Sequence, residues 1–253
     1  MLVPLAQAGR SISDLKGRLS YEWVADPSRL TFKEFDSGMT RAFERPVVLP
    51  LPESQAKSGE VLEALYVPVP EPMGAALIAP PHPLMGGSME SPILTEMAWA
   101  CEKAHVSSLR FNWRGVGASA GEKSGETSIA DEDFGAGLDF LSESFSGSLV
   151  ACGYSFGALA ALRAGLSRPD IDRLILIAPP TSMLPVESLA SFRGALFVAT
   201  GDRDEWVDVD ELRAELQKAP VSHLELLEDC DHFLMNGLGS LGQAISEWWG
   251  EPI

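Results

Sequence analysis

From about Val61 onward, short apolar runs alternate with longer stretches whose apolar positions recur every three or four residues. The runs AALIA (75–79), SSLRF (107–111), SLVACG (148–153), RLILIA (173–178), ALFVAT (195–200) and HLELL (223–227) predict strands. Several are apolar at successive positions, as parallel strands covered on both faces require. Between them, Ala130, Phe134, Leu138, Leu141 and Phe145 fall on one stripe of a helix over 129–145. A second helix opens at Asp208, with Glu211 completing a capping-box pattern ahead of Leu212 and Leu216. A third carries Leu238, Leu241, Ile245 and Trp248 on one face. Strand–helix alternation demands crossover connections, so the expected class is α/β: a doubly wound, mostly parallel sheet with helices on both faces.

The first sixty residues do not follow this rhythm. They carry scattered aromatics (Tyr21, Trp23, Phe32, Phe35, Phe43) and end in RPVVLPLPE (45–53), where proline favours an extended connector over a helix. The expected division is an N-terminal extension over 1–58 and a main domain over 59–253. The extension is read as an edge addition, a lid, or the arm of a homodimer.

Composition adds exclusions. The chain has 253 residues, with 19 Lys+Arg against 36 Asp+Glu and a formal charge of −17. Nucleic-acid binding needs a basic footprint that displaces counterions, so no nucleic-acid partner is expected. The charge also disfavours anionic membrane surfaces, and no apolar run approaches the roughly 18 residues of a spanning helix. The opening MLVPLAQAGR does not read as a signal peptide, and Cys101, Cys152 and Cys230 are too few and too scattered for a disulfide scaffold or a metal site. The expected setting is cytoplasmic, without membrane attachment.

Candidate chemistry centres on Gly153-Tyr154-Ser155-Phe156-Gly157, between the apolar run LVAC and the small-residue segment ALAALRAGL. Strand, tight turn and helix form the context in which G-x-S-x-G presents a strained, outward-pointing serine hydroxyl. A hydroxyl nucleophile needs a base. Of the four histidines, His105 reads as a helix-end residue, His223 lies within a strand, and His82 precedes the serine on a different loop. His232 follows the last strand in the polar loop EDCDHF, where parallel sheets place functional groups. The orienting acid is expected in GDRDEWVD (201–208), with Asp204 preferred and Asp202 as the competitor. Asp208 is explained as a helix cap. The N–H of Phe156 is one expected oxyanion donor, and Leu84 or Met85, beyond the donor-less Pro83, is the other. His82 is expected to brace this loop through hydrogen bonds.

Together these segments resemble the α/β-hydrolase family, in its small serine-esterase form. HPLMGG (82–87) resembles the family's oxyanion loop, and RFNWRGVGAS (110–119) its R-G-x-G-x-S turn. GDRDEWV (201–207) is similar to the G-x-x-D-x-x-V acid pattern, supporting Asp204, and DCDHF (229–233) resembles the histidine loop. The likeness spans roughly Val61 to Gly250. It implies a Ser155–His232–Asp204 triad that cleaves small or accessible carboxylic esters through an acyl-enzyme, with no metal or organic cofactor. Residues 181–194 leave no room for a large cap domain. Tyr154, Met183, Leu184 and Trp206 are expected around an apolar substrate pocket. The same machinery could serve a thioester, an amide or peptide, or an acyl acceptor other than water. A non-catalytic ligand-binding member of the fold is the alternative from another class.

Overall fold

The computed structural model describes residues 44–52 and 59–249; the expected extension therefore lies outside the described residues except at 44–52. The apolar runs form the parallel part of an eight-stranded sheet: β3 (Gly74–Ala79), β4 (Val106–Phe111), β5 (Ser148–Tyr154), β6 (Ile171–Ile177), β7 (Ala195–Gly201) and β8 (Val221–Leu227). Two strands precede them, β1 (Arg45–Pro50) and β2 (Val61–Val67), and the spatial order is β1-β2-β4-β3-β5-β6-β7-β8. Pairing is antiparallel between β1 and β2 and between β2 and β4, and parallel elsewhere. The proline-rich connector is thus a strand at the sheet edge.

Two cores lie on opposite sheet faces, and the two-residue period of β3 shows the division. Ala75, Leu77 and Ala79 join one cluster, and Ala76 and Ile78 the other. The first face is covered by α2 (Thr127–Ser144), α3 (Phe156–Ser167) and α4 (Val209–Leu216). Ala130, Phe134, Leu138 and Leu141 are buried there, and Phe145, the residue that ends α2, packs against them. The second face is covered by α1 (Pro92–Lys103) and α5 (Leu238–Trp249), through Ile93, Leu94, Met97, Leu241, Ile245 and Trp248.

Helix α4 begins as the capping pattern predicts on one side: Asp208 Oδ1 accepts from Glu211 N–H at 3.0 Å. The reciprocal arm differs, because Asp208 N–H donates to Thr181 Oγ1 at 3.0 Å. Thr181 lies in the short link from β6 to β7. That link holds a single 3-10 segment, Val186–Ser191, and no inserted cap domain. Among the described residues no helix is long and apolar enough to cross a membrane.

Candidate active site

The carboxyl ends of β5, β7 and β8 meet at one point, and each turn there has a steric cause. Ser155 follows β5 with φ 54° and ψ −117°, a conformation that non-glycine residues rarely adopt. A Cβ on Gly153 would lie 2.2 Å from the Gly157 carbonyl carbon, and one on Gly157 would lie 2.5 Å from Ala79 O. Both glycines are therefore required by close backbone approach. Ser155 N–H donates to Ile177 O at 2.8 Å, which pins the strained residue to β6. Among the described residues Phe156 N–H has no protein acceptor, and it points from the first turn of α3, where the helix dipole is positive.

After β7, the turn from Gly201 packs against the loop after β8. Asp202 N–H donates to Leu227 O (3.0 Å), Arg203 N–H to Cys230 O (2.9 Å) and Cys230 N–H to Asp202 Oδ1 (3.2 Å). Asp202 therefore ties the two loops together, and its neighbour Asp204 turns inward. Asp204 Oδ2 accepts from Thr200 Oγ1 at 3.0 Å, and Oδ1 from Trp206 N–H at 2.9 Å.

His232 closes the arrangement. Its Nδ1 lies 2.8 Å from Asp204 Oδ2, and its Nε2 lies 2.9 Å from Ser155 Oγ. An ionised carboxylate only accepts, so Nδ1 carries the proton and Nε2 is free to accept from the serine hydroxyl. Ser155, Asp204 and His232 are 5%, 6% and 5% exposed, so the interaction runs in a sheltered setting that still opens to a cleft. Tyr154 OH donates to His232 O at 3.1 Å and fixes the loop from below. Burial, followed by the carboxylates of Asp204 and Asp231, pushes the Tyr154 phenol far above its ordinary range, so it remains a neutral donor.

His82 braces the loop after β3: Leu84 N–H donates to His82 Nδ1 at 3.2 Å, and Met85 and Gly87 N–H donate to its carbonyl at 3.0 Å. Both expected second oxyanion donors are thus engaged within their own loop, Leu84 through the longer bond. The His82 ring packs on Phe156 with centroids 4.6 Å apart, and burial lowers its pKa. Trp113 supports both sides. Its Nε1–H is shared between Pro80 O and Pro81 O, at 3.1 Å each, and its ring meets Phe156 edge-on at 5.9 Å.

Two cavities flank Ser155. The larger, about 730 Å³, takes in Phe156, Thr181, Met183, Asp204 and Glu205; the smaller, about 350 Å³, takes in Ile93, Tyr154, His232, Phe233 and Met235. Trp206, Met85, His82 and Ser155 belong to both walls. Of the expected pocket residues, Tyr154, Met183 and Trp206 line these spaces, whereas Leu184 is buried in the core beside α4 and lines neither. The reason is local geometry: in the turn after Pro180, Met183 points to solvent and its neighbour inward. Thr200, Trp113, Phe233 and Met235 went unread in the sequence. A polar threonine ending the run ALFVAT was the one available signal for Thr200.

The other histidines take the places expected of them: His105 is exposed where α1 ends, and His223 stacks on Phe197 at 5.3 Å. Cys101, Cys152 and Cys230 are free and buried. Among the described residues no group of three His, Cys, Asp or Glu side chains could hold a metal ion.

Comparison with known proteins agrees with this architecture. Residues 84–200 match a family model described as "Serine aminopeptidase, S33". An uncharacterized protein of Rickettsia prowazekii is 28% identical over 185 residues, covering 68% of this chain and 77% of that one. Among solved structures, an alpha-beta serine hydrolase homologue from Coxiella burnetii superposes with a TM-score of 0.68 at 24% identity, over 83% of this chain and 99% of that one. A protein of Xanthomonas campestris described as an a/b serine hydrolase without lid gives a TM-score of 0.65 at 24% identity, over 86% of this chain and all of that one. The strand order, the strained serine turn and these likenesses show that the chain has the α/β-hydrolase fold, with no cap domain inserted between β6 and β7.

Proposed function

We propose that the protein is a serine hydrolase that cleaves carboxylic esters through an acyl-enzyme on Ser155. The observation that carries this reading is the unbroken relay Ser155 Oγ–His232 Nε2 and His232 Nδ1–Asp204 Oδ2, at 2.9 and 2.8 Å. As Oγ attacks the ester carbonyl, His232 Nε2 takes its proton. The carbonyl oxygen becomes an oxyanion facing Phe156 N–H. His232 then passes the proton to the leaving oxygen as the C–O bond breaks, and water repeats the sequence to release the acid. Asp204 holds the ring in the required tautomer and balances the imidazolium.

The second oxyanion donor is Leu84 N–H in this reading. Its 3.2 Å bond to a neutral imidazole nitrogen is the weaker of the two loop contacts, and a developing oxyanion is the stronger acceptor. Thioester, amide and acyl-transfer chemistry would use the same atoms and differ only in the leaving group or acceptor.

The test is covalent labelling with a fluorophosphonate probe. Wild-type protein is expected to label, and Ser155→Ala and His232→Ala to lose labelling while keeping the wild-type circular dichroism spectrum. A folded wild type that fails to label overturns the assignment.

A further inference from the structure

The two cavities differ in chemistry, and the proton path distinguishes them. This inference rests on the serine-hydrolase reading above and concerns which esters the site accepts. The proton leaving His232 has to reach the departing oxygen, so the leaving group sits on the side where the imidazole forms a wall. His232 lines the smaller cavity and not the larger, whereas Phe156, the oxyanion donor, lines the larger and not the smaller. The smaller cavity therefore holds the leaving group and the larger one the acyl group.

Ile93, Tyr154, Phe233 and Met235 give the leaving-group side a mostly apolar wall, with Ser88, Ser91 and the carboxylate of Glu90 as its polar part. Phe233 and Met235 are largely exposed, as are Met85, Met183 and Trp206 around the same opening. Exposed large apolar side chains gathered at one opening are a signature of a binding surface. The acyl side is richer in carboxylates: Thr181 and Ser182 supply hydroxyls, and Glu205 and Asp208 supply two carboxylates besides Asp204. Glu205 forms no ion pair among the described residues. No Lys or Arg lines either cavity, and the depressed pKa of His82 keeps that wall neutral. The chain's formal charge of −17 adds a long-range field of the same sign.

We infer that the substrates are esters with an uncharged or cationic acyl part and an apolar leaving group, and that the site rejects anionic acyl groups and phosphate-bearing leaving groups. A carboxylate in the larger cavity meets Glu205 and Asp208 with no counter-charge. An ammonium there gains a partner. A phosphorylated thiol carrier would set its phosphates against a mostly apolar wall whose charged group, Glu90, is itself an anion, in a negative field. The bond changes are those already given: acyl carbon to Ser155 Oγ forms, acyl carbon to leaving oxygen breaks, and the leaving oxygen takes the proton from His232.

The experiment compares 2-naphthyl esters of butyric acid, 4-aminobutyric acid and succinic acid, together with butyryl-coenzyme A, on full-length protein that labels with the fluorophosphonate. The neutral and cationic esters are expected to exceed the succinate ester in kcat/KM by at least about tenfold, the order that one or two carboxylates across a partly solvated gap supply. Butyryl-coenzyme A should be the poorest substrate. Added salt should narrow the gap between the cationic and anionic esters. Glu205→Lys should narrow or reverse it while labelling persists, and Phe233→Ala should raise KM for naphthyl butyrate more than for methyl butyrate. Equal or faster turnover of the succinate ester or of butyryl-coenzyme A by labelled protein overturns the inference and leaves the hydrolase reading intact. Absence of labelling overturns the hydrolase reading, and this inference with it.

Discussion

Asp204 presents both oxygens to the protein, and the least conspicuous of its partners is Thr200. The Thr200 hydroxyl shares Oδ2 with His232 Nδ1, so it limits rotation of the carboxylate and with it the imidazole. Thr200→Val removes a hydrogen bond to a charged group, worth about 1.5–3 kcal/mol, and is expected to lower kcat roughly tenfold with little change in KM. Thr200→Ser should restore most of it, a rescue that steady-state kinetics on naphthyl butyrate would show. His82 carries a pH signature of its own. Burial holds its pKa below the ordinary 6.5 of histidine, so below that pH the unfolded chain binds the proton more readily than the folded one. Stability is then lost as pH falls from 6.5 through the lower folded value. Protonation also removes the Nδ1 acceptor that Leu84 N–H uses. His82→Asn keeps a short side-chain acceptor for that N–H without titrating, and thermal melts between pH 7 and 5 should show a shallower decline than wild type. The group is only half-buried, so the difference is small. At this scale the sequence was readable where residue order and spacing marked the candidate site, as for Ser155, Asp204 and His232, whose side chains lie in turn within hydrogen-bonding distance. It was silent where packing decided: nothing in the string separates Leu184, turned into the core, from Met183, turned out to the cleft.

At the scale of elements, the legible parts were those whose burial is two-sided. The five inner strands β3 to β7 and the apolar stripe of α2 stood out because continuous or helix-period burial leaves a pattern in the residues themselves, while the edge strand β8, with only Leu227 buried, was legible from the run HLELL alone. Strands β1 and β2 did not, because β2 alternates buried and half-buried positions, and β1 is bounded by prolines that read as connector. Helix α1 does carry a start signal, Ser91 followed by Pro92 at the first helical position, although Ser91 makes no side-chain cap hydrogen bond. The start of α4 carries one as well, and it joins two elements. Asp208→Ala removes the cap on Glu211 N–H and should cost about 1 kcal/mol in urea unfolding. Thr181→Val should cost a comparable amount by leaving Asp208 N–H without its acceptor. The turn before α3 is stricter. Gly157→Ala drives a methyl into Ala79 O, so an overpacking cost of about 1–3 kcal/mol is expected, with a slower rate of fluorophosphonate labelling as the β3 and β5 ends move apart.

Across the whole molecule, the sheet carries the two cores and the loops at the carboxyl ends of its strands carry the candidate site. The acid turn and the histidine loop behave as one body because three backbone-anchored hydrogen bonds and the Arg203–Asp229 ion pair cross between them. Charge acts at this scale too. A formal excess of 17 negative charges repels itself in the compact state, so the unfolding temperature should rise with sodium chloride over about 0–0.5 M, where the Debye length shrinks to a few ångströms. Thermal melts at constant pH test this, and a midpoint indifferent to salt would show that the charges are already compensated locally. The prolines of β1 have a consequence for association. Pro46 and Pro50 fall on the same side of a strand that pairs with β2 along its length, so the missing N–H groups face away from β2. A strand arriving from a second molecule would find only Val48 able to donate between them, while the margin formed by β8 carries no proline. Among the described residues, edge-to-edge pairing is therefore disfavoured at β1 by its prolines, whereas β8 carries no such obstacle.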